Sequence, residues 1–435
     1  MSFWIGVGLL VLGLIVSIGL HELGHLVPAK RFRVYVPQYF IGFGPTLWST
    51  KRGETEYGVK LLPLGGFVRL AGMFPPKEET ASSAKPTGTW FSNVAEDARR
   101  YSQREIPKDS SHRPFYTLST PQKLAVMFGG PVVNLILAVV LFGIVVTGFG
   151  TATLTNQLGT IAECVGGQEG ECAAGDPPSP AHAAGFEPGD RVLSWGGEEV
   201  NSWDDITATI EDGGTSPTPV VIEREGSRMT LTVTPEIHDR PVVVDGEPAV
   251  DDAGEIVTQP APYVGIGPAI ELVPQPVTEV PHVVGEVLGG TVSIVLSLPQ
   301  RLVGIAEAVF TDAERDPSIV GIVGVGRFAG EIASVPSDAY GVKERTADML
   351  SLLGSLNMAL FVFNMIPLLP LDGGHIAGAL FEGARRRLAT WRGKTDPGFA
   401  DTARLMPLTY VVFLFLIGMS LLLAFADIVK PVTLG

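Results

Sequence analysis

Four stretches of this chain, Met1 to Leu20, Leu124 to Gly148, Met349 to Leu371 and Leu405 to Ala426, contain no charged side chain. Each is long enough to cross a hydrocarbon core about 30 Å thick, which takes roughly 20 apolar residues in a helix. Inside lipid only helices and closed barrels satisfy their own backbone groups, so runs of this length predict helices. The whole chain agrees: 46% of its 435 residues are hydrophobic and its mean hydropathy is +0.29, too apolar for an ordinary soluble enzyme. A multi-pass α-helical membrane protein with four transmembrane helices is the expected fold class. The first stretch lacks the basic start and small-residue cleavage site of a signal peptide and is expected to be retained.

Charge sets the orientation. The net charge of −15 argues against nucleic acid as a partner. Residues 30 to 123 carry fifteen Lys or Arg, whereas the longer segment 150 to 348 carries nine. Arg385, Arg386, Arg387, Arg392, Lys394 and Arg404 crowd the connection between the third and fourth stretches. The positive-inside rule then places 30 to 123 and 372 to 404 in the cytoplasm, with 150 to 348 and both termini outside. Cys164 and Cys172, the two cysteines of the chain, fall in the outside segment, where they could pair or remain free.

Between the stretches, glycines and prolines punctuate apolar residues from Gln38 to Gly72, a pattern that suits hairpins dipping into the bilayer. Residues 75 to 118 are polar with little periodicity and read as a mobile insertion. From Ala181 to Trp195 a short helix, a turn and a strand are predicted. Ser202 to Ile210 reads as a helix, Val220 to Val233 as two strands around the turn Glu225-Gly226, and the stretch up to Pro262 as a loop. The region is similar to the PDZ domains of bacterial membrane-associated proteases in its Ser-Pro-Ala, Ala-Gly and Pro-Gly-Asp-Arg runs. Val283 to Val309 and Ser318 to Ile332 read as amphipathic or interfacial helices.

The chemistry begins at His21-Glu22-Leu23-Gly24-His25. Two histidines four apart share a helix face and can bind one metal ion, with Glu22 beside them as a base toward water. An ionisable residue in an apolar span is costly, by about 2.5 to 3.5 kcal/mol, and is usually functional or paired. The bland alternative is a polar helix end at the interface. Zinc needs a third protein ligand and an open position. The third stretch ends Asn364-Met365-Ile366-Pro367-Leu368-Leu369-Pro370-Leu371-Asp372-Gly373-Gly374-His375. Charge topology puts that end, like His21 and His25, on the cytoplasmic side, so Asp372 is the preferred third ligand. His375 is a lesser rival, placed in the following helix. Pro367 and Pro370 break the span, as is tolerated where backbone lines a cavity. In the second stretch, Phe128-Gly129-Gly130-Pro131-Val132-Val133-Asn134 places an amide among apolar residues; Asn134 either glues helices or hydrogen-bonds a substrate backbone.

Together, HELGH, GGPVVN and NMIPLLPLDGGH resemble the site-2 protease family of bacterial membrane metalloproteases. IGFGPTLW and TEYGVKLLPLGGFVRLAGM resemble that family's membrane-associated β segment, and the likeness covers nearly the whole chain apart from 75 to 118. The resemblance implies zinc (Zn2+) held by His21, His25 and Asp372, Glu22 as general base, and Asn134 and Asn364 as substrate-contacting or supporting groups. It implies cleavage within transmembrane helices of single-span membrane proteins already shortened by an upstream site-1 protease; anti-sigma factors and signal-peptide remnants are the usual classes. It implies a bacterial inner membrane location with the active site toward the cytoplasm. The chain has room for one clear PDZ-like domain, where some members carry two.

The expected organisation follows. It comprises a first transmembrane helix (1–33), a membrane-associated β segment (34–74), a cytoplasmic insertion (75–120), a second transmembrane helix (121–150) and an extracytoplasmic PDZ-like α+β domain (155–270). Interfacial helices (271–345), a third transmembrane segment (346–375), a basic connection (376–404) and a fourth transmembrane helix (405–428) complete it. Two rival readings are a non-catalytic PDZ scaffold and a zinc transporter. Glu22 between the histidines and the PDZ-like region weigh against both.

Overall fold

The computed structural model describes residues 2–76, 90–104, 106, 113–165, 172, 176–241, 243–244, 247–248, 257–311, 315–335 and 340–433. The chain divides into two compact units, Met1–Phe149 with Pro276–Gly435, and Gly150–Gln275.

The first unit is built on apolar helices. α1 (Ser2–Arg31) leads into two long strands, β1 (Gln38–Arg52) and β2 (Thr55–Arg69). Their register doubles back, so that Phe40 faces both Gly58 and Phe67 while Thr50 faces Tyr57. Phe43, Leu47, Trp48, Leu61 and Leu62 of this ribbon are exposed. Where a mobile insertion was expected, α2 (Trp90–Arg104) forms; its helical amphipathic pattern was masked by a largely polar composition, and Arg99 anchors it through both Asp401 carboxylate oxygens at 3.2 and 2.7 Å. Of that expected insertion, 77–89, 105 and 107–112 lie outside the described residues.

α3 (Thr120–Met127) starts at a Ser119 box in which Ser119 N–H donates to the Gln122 side chain. α4 (Gly129–Ile144) follows after one residue. The later part of the unit holds α7 (Val280–Phe310), α8 (Ile322–Ser334), α9 (Val342–Asn364), α10 (Asp372–Trp391) and α11 (Met406–Val429). Small residues let these helices approach, as in membrane bundles. A methyl added at Gly24 or Gly129 would strike the other helix's backbone, and one at Gly6 would strike Ala329 of α8. Asn357 of α9 donates to Ser17 of α1 at 3.0 Å, and Ala138 and Phe142 of α4 pack on Met358. Exposed Trp4, Leu9, Leu12 and Val16 on α1, and Val411, Leu414, Phe415 and Leu421 on α11, make an apolar exterior suited to lipid rather than water.

Among the described residues, five helices are long and apolar enough to cross a membrane: Ser2–Arg31, Gly129–Phe149, Val277–Phe310, Val342–Asn364 and Thr402–Val429. Four spans were expected; the addition is the α7 region, which the sequence suggested was interfacial. Both ends of α7 meet the same end of the bundle. Val280 lies against Gly143 near the close of α4, and Thr311 just past the other end accepts from Lys430 Nζ at 2.9 Å, just beyond α11. The basic connection expected at 376–404 is largely helical, as α10.

The second unit is α+β. Its main sheet has the order β12-β3-β4-β6-β7, with β5 paired to β4. The strands are β3 (Thr151–Ile161), β4 (Arg191–Trp195), β5 (Glu198–Glu199), β6 (Thr218–Arg224), β7 (Ser227–Val233) and β12 (Ile266–Val273). The expected loop up to Pro262 instead contains β8 (Glu236–Pro241), paired with β11 (Thr258–Tyr263), and a small ladder of β9 (Val243–Val244) with β10 (Glu247–Pro248). The prolines that suggested a loop, Pro260 and Pro262, sit within the β8–β11 ladder opposite Asp239 and Ile237, which a two-stranded sheet tolerates because each strand is an edge. α5 (Pro180–Ala184) and α6 (Trp203–Gly213) complete a core around Trp195, Ile206, Val220 and Ile222. Buried Asp190 of the Pro-Gly-Asp-Arg run takes two hydrogen bonds from Arg224, at 2.6 and 2.8 Å. Cys164 and Cys172 are joined as a disulfide.

Candidate metal centre and cleft

The helical spacing of His21 and His25 brings their Nε2 atoms within 3.3 Å. His25 Nδ1 lies 2.8 Å from the carbonyl oxygen of Val126, at the end of α3. A carbonyl can only accept, so Nδ1 carries the proton and Nε2 presents its lone pair. Asp372 is the first residue of α10, where its charge suits the helix dipole. Its Oδ2 stands 3.4 Å from His21 Nε2 and 3.3 Å from His25 Nε2.

These three atoms can hold a metal ion. Zinc ligands about 2.0 to 2.2 Å from the ion at tetrahedral angles stand about 3.4 Å apart, the spacing seen here. Asp372 Oδ2 is buried with no hydrogen-bond partner among the described residues, an orphan that a cation would satisfy. Glycines clear the space. A methyl on Gly130 would run into His25 Nε2 and come within 2.7 Å of His21 Nε2. One on Gly374 would sit 2.5 Å from the Leu369 amide nitrogen, so the Pro-broken turn before α10 closes only around glycine. Gly66 of β2 makes room for Glu22, whose Cγ would lie 2.8 Å from an added methyl.

Four of the six residues singled out, His21, Glu22, Asn134 and Asn364, line a cleft of about 590 Å3 together with Pro370 and Leu371, and the other two, His25 and Asp372, adjoin it through His21. Asn134 is fully buried, and neither end of its amide has a partner among the described residues. Phe413, Leu416, Ile417 and Ser420 of α11 form the facing wall, a role that the largely apolar run of this helix concealed. His375 stands apart from the His21, His25, Asp372 cluster, one turn further along α10. Sequence reasoning missed the Ser17–Asn357 contact and the buried Lys123–Glu382 pair. An Asn within an apolar stretch was a signal for the first; nothing local signalled the second.

Three atoms able to ligate a metal ion, with the Glu22 carboxylate beside them, set among apolar helices and opening on a cleft, are the arrangement a membrane-embedded metallohydrolase requires. Residues 9–395 match peptidase family M50. Over 444 residues, and the full length of both chains, the sequence is 32% identical to zinc metalloprotease Rip1 of Mycobacterium tuberculosis. It is 29% identical over 386 residues to metalloprotease MmpA of Caulobacter vibrioides, covering 87% of this chain and 86% of that one. With zinc metalloprotease RasP of Geobacillus kaustophilus it shares 26% identity over 439 residues, 90% and 93% of the two chains. The chain belongs to peptidase family M50, the site-2 proteases, and is an intramembrane zinc metalloendopeptidase.

Proposed function

We propose that His21, His25 and Asp372 hold the zinc ion, that Glu22 is the general base, and that Asn134 and Asn364 hold the substrate backbone. The observation that carries this reading is the mutual spacing of the three ligand atoms, 3.3 to 3.4 Å, with Glu22 beside them. Zinc in that position supplies Lewis acidity toward a carbonyl oxygen and lowers the pKa of water. Val126 and the Gly130 gap orient the imidazoles. Glu22 takes the proton of the attacking water and returns it to the leaving nitrogen. A helical substrate hides its carbonyls in internal hydrogen bonds, so it must unwind to be cut; the free amide of Asn134 can replace a bond lost in unwinding.

The substrates are single-span membrane proteins shortened beforehand by a site-1 protease, of the anti-sigma-factor or signal-peptide-remnant kind. The unit at 150–275 is read as an extracytoplasmic PDZ-like domain that screens them, and β1 with β2 as a membrane-dipping segment offering a strand edge. Its exposed Phe43, Leu47 and Trp48 support the dipping. The enzyme is read as lying in the bacterial inner membrane with four crossings, α7 returning to its own side, both termini outside and the site toward the cytoplasm.

The test is purification in detergent, with zinc measured and a single-span substrate offered. Glu22→Gln should keep zinc and lose about 10²- to 10⁴-fold in rate; cleavage at the wild-type rate would overturn its role. Asp372→Asn should lose zinc.

A further inference from the structure

We propose that the buried Lys123–Glu382 ion pair is a positioning device for the metal centre, locking the helix that orients His25 to the helix that carries Asp372. This rests on the reading of His21, His25 and Asp372 as ligands. Lys123 Nζ donates to both carboxylate oxygens of Glu382, each at 2.9 Å, and the two residues are 5% and 2% exposed. Glu382 Oε2 also accepts from the Ala400 N–H at 2.9 Å, which fixes the carboxylate from a third segment.

Each partner connects to the centre through one rigid element. Lys123 stands one turn before Val126 on α3, and the Val126 carbonyl receives the His25 Nδ1–H at 2.8 Å. Glu382 lies on the same helix as Asp372, ten residues on, which is about 15 Å along the axis. Between these points α3 and α10 are in contact. Ile376 packs with Leu26, Val126 and Met127, and a methyl on Gly383 would come within 2.8 Å of Thr120 Cγ2. A cavity of about 30 Å3 reaches from Lys123 and Glu382 to His375, in the first turn of α10 with Asp372.

Apolar packing alone lets two helices slide or rotate at small cost. A carboxylate gripped by an ammonium and an amide from two other segments does not: Arg386 of its own helix, 3.6 Å away, would move with Glu382, but a slip would leave the buried Lys123 ammonium unpaired. Replacement of a buried pair by apolar residues of similar volume is often neutral for stability, so what this pair adds over an apolar contact is a fixed register. Outer partners that orient metal ligands typically matter by 10- to 100-fold in metal affinity.

The experiment uses the full chain in detergent, loaded with Zn2+ or Co2+. It measures metal retention against a chelator, the visible Co2+ spectrum, and thermal unfolding. Lys123→Met/Glu382→Met should unfold close to the wild-type temperature yet bind metal about 10- to 100-fold more weakly, with an altered Co2+ spectrum. If the double variant does not fold, Glu382→Gln, which keeps shape and removes charge, carries the same expectation. The control is Arg315→Met/Asp427→Leu, which removes an equally buried pair, 2.6 Å apart, at the far end of the bundle; its spectrum should stay wild type. A folded Lys123/Glu382 variant with wild-type metal affinity and spectrum overturns the proposal, as does a control variant that alters the spectrum equally. A wild-type protein that binds neither ion would sink the ligand reading itself, which separates the two failures.

Discussion

Gly130 and Asn134 face the same centre one turn apart on α4, and they answer to different physics. At Gly130 the constraint is space: the added methyl of Gly130→Ala meets both imidazoles. That variant should express and insert but retain zinc about 10- to 100-fold less well, checked by metal content after dialysis. At Asn134 the constraint is an unpaid hydrogen bond. A buried amide with no partner costs about 1 to 3 kcal/mol, so Asn134→Leu should leave the unfolding temperature unchanged or higher while cleavage falls. A variant that loses stability together with activity would mark Asn134 as helix glue instead. Both residues were visible in the sequence as a Gly-Gly-Pro followed by an amide in an apolar run. The sequence left the amide's role open, because glue and substrate contact differ only in whether a neighbour fills its bonds.

Among the elements, α2 and α6 show how short-range pattern and long-range contact divide the work. α6 announces itself: Ser202 accepts from the Asp205 amide at 3.2 Å, while Asp205 Oδ2 accepts from Asn201 and Ser202 at 2.9 and 3.0 Å. The bond from the Asn201 amide first, then those from Ser202, hold the Asp205 carboxyl below its ordinary value. A folded-state pKa below the unfolded one gives stability that is present above the unfolded value, about 3.9, and is lost as pH falls through the folded value. Asp205→Asn should therefore flatten the acid limb of the unfolding temperature for the 150–275 unit, followed by circular dichroism. α2 depends instead on a partner some three hundred residues away, since Arg99 reaches Asp401. Asp401→Ala should expose α2 to limited proteolysis while leaving α6 untouched. No window around residues 90–104 contains Asp401, which is why the segment read as unstructured.

Across the whole molecule the far end of the bundle is closed by buried Asp427, which accepts from Arg315 at 2.6 Å and from the Gly324 amide at 2.7 Å. Removing one partner of such a pair leaves an uncompensated buried charge, so Arg315→Met should destabilise by about 3 to 5 kcal/mol in detergent. The same end receives both ends of α7. Cysteines placed at Thr278 and Thr311 should react with a membrane-impermeant thiol reagent from one side; labelling from opposite sides would sink the four-crossing reading. Composition and spacing by themselves determined the membrane class, the four uncharged stretches, the helical His pair and the expectation that Asp372 would join it. These are local or one-dimensional properties: a 3.6-residue period, a hydrophobic length, a count of charges on either side of it. Only the tertiary structure decided the course of α7, the α11 wall of the cleft, the anchoring of α2 and the Lys123–Glu382 lock. Apolar length states that a helix can enter lipid but not where it leaves. The partner of a buried charge is chosen by packing between segments that the sequence keeps hundreds of residues apart.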